Sequence, residues 1–139
     1  MTFETHDENE TWDVAKRFAA TLRHGDVVCL EGDLGAGKTT FTQGLCAALG
    51  AKRAVTSPTF CIVSEHPAAD MLVVHMDLYR LNGEDDVLQI GWEDYIARGA
   101  VLVVEWPDRA GSLIPETARH VRFSYGADET SRRIEVDGL

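Results

Sequence analysis

Gly32-Asp33-Leu34-Gly35-Ala36-Gly37-Lys38-Thr39-Thr40 follows the pattern G-x-x-x-x-G-K-[ST] of a phosphate-binding loop. Gly32, Gly35 and Gly37 permit the turns that bring backbone N–H groups close to phosphate oxygens. Lys38 supplies a mobile positive charge for β- and γ-phosphates, and the Thr39 hydroxyl suits Mg²⁺. The flanks agree with this reading. Val27-Val28-Cys29-Leu30, just before the loop, is a short apolar run that predicts a buried strand. After the loop, Phe41, Leu45, Ala48 and Leu49 fall on one helical face, and Gly50 suits the position just past a helix end. Strand, glycine loop and helix in that order aim the helix N-terminus at the phosphates.

The chain of 139 residues, 45% of them apolar, predicts one compact domain over residues 1–139. Thirteen Lys+Arg against twenty-three Asp+Glu give a net charge of −10. That balance argues against a broad footprint on a nucleic-acid backbone, so strong direct nucleic-acid binding is not expected. No apolar run is long enough to span a membrane, and the acidic start Met1-Thr2-Phe3-Glu4-Thr5-His6-Asp7-Glu8 does not fit a signal peptide. Cys29, Cys46 and Cys61 show no C-x-x-C spacing and read as buried thiols in a reducing cytoplasm.

Elsewhere the periodicity predicts a first helix from about Asn9 to Arg23. Val14, Phe18 and Leu22 form its buried stripe, with Ala15 and Ala19 beside them, Thr11 as the cap and Gly25 as the end. Thr56-Ser57-Pro58-Thr59-Phe60 places three hydroxyls around a rigid proline, either an ordinary turn or a phosphate-sensing switch. Phe60 to Val63 reads as a strand, Glu65 to Asp70 as a hairpin loop, and Met71 to Asp77 as its antiparallel partner. Strand alternation puts His75 and Asp77 on one face. Leu88, Trp92, Tyr95 and Ile96 share a helical face that Gly91 can split. Ala100 to Pro107 is the clearest central strand, and its apolar run ends in Glu105. An acid there, beside a phosphate loop, suits Mg²⁺ or a reacting water. Val121 to Tyr125 and Arg132 to Val136 predict a terminal hairpin.

Four of these segments together resemble the TsaE family, formerly YjeE: residues 32–40, Thr-Ser-Pro-Thr-Phe at 56–60, His-Met-Asp-Leu-Tyr-Arg-Leu at 75–81, and Val-Glu-Trp-Pro-Asp-Arg at 104–109. The resemblance spans nearly the whole chain. It implies an α/β P-loop NTPase fold with a mixed, mostly parallel sheet flanked by helices and a C-terminal antiparallel hairpin. It also implies ATP and Mg²⁺ as cofactors and slow ATP hydrolysis in the cytoplasm. The implied role is in forming tRNA N6-threonylcarbamoyladenosine beside the proteins TsaB and TsaD, which themselves transfer the group. By motif position, Gly35, Ala36, Gly37, Lys38, Thr39 and Thr40 would cradle phosphates. Thr39, Asp77 and Glu105 would hold the metal, and Lys38, Asp77 and Glu105 would be catalytic. Thr56 to Thr59 would be a first switch and Asp77 part of a second, with Trp106 beside the site. Thr11 and Arg132 would touch the nucleotide. His66 and Asp108 depart from the family's usual Tyr and Glu.

Two other readings use the same loop. One is a small-molecule kinase, which usually carries an arginine-rich lid that this sequence lacks. The other is a nucleotide-sensing adaptor without hydrolysis. No N-K-x-D segment occurs, which disfavours guanine recognition. Arg80 and Arg109 are candidates for an arginine finger only by adjacency.

Overall fold

The computed structural model describes residues 1–33, 35–51 and 62–139. Seven strands form one mixed sheet: β1 (Thr2–Thr5), β2 (Val27–Gly32), β3 (Val63–Pro67), β4 (Leu72–Asp77), β5 (Val101–Glu105), β6 (Arg119–Tyr125) and β7 (Arg132–Val136). Their spatial order is β1-β7-β6-β2-β5-β4-β3. The four inner strands β6, β2, β5 and β4 run parallel, and β3, β7 and β1 are antiparallel additions at the flanks.

Helices cover both faces. On one side lie α1 (Glu8–Ala19) and α2 (Lys38–Ala48). On the other lie α3 (Glu84–Gln89), α4 (Trp92–Ala97) and a short 3-10 segment, Pro107–Leu113. Alternate residues of each strand therefore enter two separate cores. Val28, Leu30, Val73, Val101 and Val103 meet Phe18, Phe41 and Leu45 on the first face. Val27, Cys29, Val74, Met76, Leu102 and Val104 meet Val87 and Trp92 on the second. Coverage on both sides is why all five residues of β5 are buried. Behind the glycine loop, the Phe41 ring packs 5.8 Å from Phe18 and 5.4 Å from Phe123, centroid to centroid. Such ring pairs add about 0.5–1.5 kcal/mol each beyond their buried area. Burial pushes the Cys29 and Cys46 thiols up to about 12, while Cys61 lies outside the described residues.

Several local expectations are corrected. Asp7, not Thr11, caps α1: its Oδ1 accepts from the Glu10 N–H at 2.8 Å. Thr11 lies inside the helix with its hydroxyl 3.0 Å from that of Thr5. Asp7→Ala is expected to cost about 1 kcal/mol, roughly 4 °C in a thermal melt for this size. The helix also ends at Ala19, short of Gly25, because Thr21 donates through both its N–H (3.0 Å) and its hydroxyl (2.7 Å) to the Phe18 carbonyl. All five residues of its predicted stripe are nonetheless buried.

On α2, Ala48 is exposed, and the buried face is Phe41, Thr42, Gly44, Leu45 and Cys46. Contact with α1 rotates the helix, since a Cβ on Gly44 would lie 3.1 Å from Ala15 and from Trp12. The segment expected as a loop from Glu65 is strand as far as Pro67, paired residue by residue with β4, and the turn sits at Ala68–Met71. Edge position is what allows Pro67 in a strand. Gly91 does split the next region into two helices, but Leu88 and Ile96 are exposed and Val87 takes the buried place. The acidic stretch Glu84-Asp85-Asp86 forms the first turn of α3, where negative charge suits the helix dipole. The sequence pattern predicts no strand at Thr2–Thr5, where β1 pairs with β7.

Candidate phosphate-binding site

The loop between β2 and α2 lies at the carboxyl end of the parallel strands, where α/β sheets bind ligands. Gly32, Gly35 and Gly37 all have positive φ, at 142°, 79° and 110°. At Gly32 the requirement is also spatial: a Cβ would meet the Phe123 carbonyl oxygen at 2.3 Å. Gly37 precedes the first residue of α2 and carries no capping side chain, so that helix end offers backbone N–H groups.

Lys38 bends back over the loop. Its Nζ donates to the Gly32 carbonyl at 2.9 Å and lies 3.8 Å from Glu105 Oε1. Glu105 is only 8% exposed. Its other oxygen, Oε2, is 2.7 Å from His75 Nε2. An ionised carboxylate so enclosed needs such partners, because burying it unpaired costs several kcal/mol. The strand register sets Asp77 directly beside Glu105, on the face that also carries His75. Asp77 Oδ1 accepts from the Tyr79 N–H at 3.1 Å. Half-buried Thr39 follows Lys38 in the first turn of α2.

The sheet thus gathers Lys38, Asp77 and Glu105 from distant parts of the chain to one end. The Thr39 hydroxyl and the Asp77 and Glu105 carboxylates are oxygen donors, the hard ligands that suit Mg²⁺ along with phosphate oxygens and water. Among the described residues no group of three or more His, Cys, Asp or Glu could hold a metal on its own.

Thr11 and Arg132 belong to the opposite flank. The register aligns Tyr125, Arg132 and Thr5 in one row across β6, β7 and β1. Thr5 then reaches Thr11 through its hydroxyl. The Arg132 guanidinium lies 4.7 Å from the Tyr125 ring centroid, and the Tyr125 hydroxyl would lie 3.1 Å from a Cβ on Gly35. The row therefore borders the glycine loop, although Thr11 itself is 4% exposed. Tyr125 was missed by sequence reasoning, and alternation in the hairpin carries no sign of its proximity to Gly35.

On the β4–β5 side, Tyr79 and Trp106 are 57% and 43% exposed with ring centroids 4.9 Å apart. Trp106 has φ 58°, uncommon for a side chain of its size. Arg80 is exposed, while Arg109 is half-buried and its Nε has no hydrogen-bond partner among the described residues. The switch expected at Thr56 to Thr59 lies outside the described residues.

Comparisons with known proteins bear on the family and the fold. The family model described as "Threonylcarbamoyl adenosine biosynthesis protein TsaE" matches residues 5–134. The TsaE protein of Bacillus subtilis is 38% identical over 129 residues, covering 93% of this chain and 80% of the relative. That of Streptomyces coelicolor is 39% identical over 132 residues, 91% and 89% of the two chains. The crystal structure of YdiB from Bacillus subtilis superposes with a TM-score of 0.79 at 33% identity, covering 98% of this chain and 83% of that one. With the motifs in order along the chain and these matches across nearly all of it, the chain belongs to the TsaE family.

Proposed function

We propose that this protein binds MgATP and hydrolyses it slowly in support of tRNA N6-threonylcarbamoyladenosine formation, acting on a TsaB–TsaD complex without transferring the group itself. The observation that carries the reading is Lys38, seated between the glycine loop and the buried Glu105 carboxylate. Phosphoryl transfer to water is mainly positioning and electrostatics. The backbone N–H groups at the start of α2, together with Lys38, supply the positive field. Glu105 or Asp77 orients the water. Mg²⁺, when bound, would neutralise charge on the transferred phosphoryl group, and Thr39, Asp77 and Glu105 are the residues to hold it. The relatives' name supports the pathway.

The experiment is phosphate release from MgATP with no added acceptor, first alone and then with TsaB and TsaD. Slow release alone that rises with the partners is expected, because a group supplied in trans can complete such a site. Equal turnover in both conditions overturns the partner reading. No release in either condition overturns hydrolysis and leaves a kinase or a nucleotide-sensing adaptor.

A further inference from the structure

His75 occupies a position in β4 where an apolar residue would pack. It is fully buried, with Ser64 and Val103 as its register neighbours on β3 and β5. Its Nδ1 has no hydrogen-bond partner among the described residues. Nε2, in contrast, lies 2.7 Å from Glu105 Oε2. A carboxylate only accepts, so Nε2 carries the proton and donates it into this bond. Among the described residues the imidazole thus makes one polar contact, and it makes it to an acid beside the phosphate-binding loop. Stability alone favours an apolar side chain there, since a buried polar group is costly and Nδ1 of this one has no partner among the described residues.

We propose that His75 is a positioning residue. Its Nε2–H fixes Oε2 of Glu105 and thereby turns Oε1 toward Lys38 and the glycine loop. The two carboxylate oxygens then have different tasks. Oε2 is committed to the sheet interior, and Oε1, 3.8 Å from Lys38 Nζ, is the one presented to the reaction. A carboxylate free to rotate about its terminal bond would lose that orientation. Partners that orient a working side chain in this way typically carry 10- to 100-fold of activity. The inference rests on the ATP-hydrolysis reading of the same site.

The test combines kinetics with an NMR measurement that needs no turnover. In His75→Leu, kcat for phosphate release is expected to fall about 10- to 100-fold. MgATP affinity should stay within about threefold, the signature of an interaction used in the reaction and not in binding. In His75→Gln, whose amide N–H can reach the place of Nε2, most of kcat should return. Imidazole ¹⁵N spectra of the wild-type protein should show the proton on Nε2, with the Nε2 signal displaced in Glu105→Gln.

Equal kcat in the Leu and Gln variants, or a loss in affinity in place of kcat, overturns the proposal. So does a proton on Nδ1 alone. Should the wild-type protein release no phosphate, the hydrolysis reading fails, and the spectra still decide whether His75 holds Glu105. Should His75→Leu not fold, the Gln variant and the spectra decide.

Discussion

MgATP is expected to raise the melting temperature of the wild-type protein, and Lys38→Ala is expected to abolish that shift. At a hundred times its Kd, a ligand bound only by the folded state adds about 2.7 kcal/mol. For a domain of this size that is roughly 10 °C in melting temperature. Lys38 is the one side-chain cation seated at the loop among the described contacts: 2.9 Å from the Gly32 carbonyl and 3.8 Å from Glu105. Without it, the phosphates would lose the side-chain cation that offsets the nearby Glu105 carboxylate. The ligand-free variant is melted in parallel, because losing Lys38 also removes a partner from a buried acid. A full shift in Lys38→Ala would sink the site assignment. Equal shifts with MgATP and MgGTP would show that the base is not read.

Glu105→Gln should slow phosphate release by about 10²–10⁴-fold, the usual range for losing a positioned acid or base. The substitution preserves shape. Its amide oxygen can still accept from His75, which turns the NH₂ toward Lys38, where a carboxylate was. The glycine loop, Lys38, Thr39 and Asp77 are untouched, and the MgATP thermal shift reads separately how far the loss of one proposed metal-holding carboxylate weakens binding. Hydrolysis within about threefold of wild type would remove Glu105 from the chemistry and move the water-orienting role to Asp77.

Local patterns in the sequence were legible where one segment decides its own structure. The loop from Gly32 to Thr40 was readable because its glycines, lysine and threonine each have a backbone or charge requirement. β5 was readable because a strand covered on both faces must be apolar throughout. The terminal hairpin was readable from alternation. Boundaries were less so. Asp7 won the cap of α1 because its carboxylate reaches the Glu10 N–H, and the side chain of Thr21 closed that helix early. Leu88 and Ile96 kept helical spacing yet stayed exposed, because α3 and α4 are each too short to carry one continuous face.

The sequence by itself determined that a glycine loop of the phosphate-binding pattern lies between a strand and a helix, that Asp77 and Glu105 stand at strand ends, and that the chain resembles TsaE. Those features rest on contacts between near neighbours and on residue chemistry. Only the tertiary structure decided that β4 and β5 are adjacent in parallel register, which sets Asp77 beside Glu105 and His75 against its Oε2. Only it brought β6 alongside β2, so that Tyr125, with Arg132 over its ring, borders Gly35, and only it added β1 to the far edge of the sheet. Pairing between strands far apart in the chain depends on which faces the helices cover, and no local pattern encodes that choice.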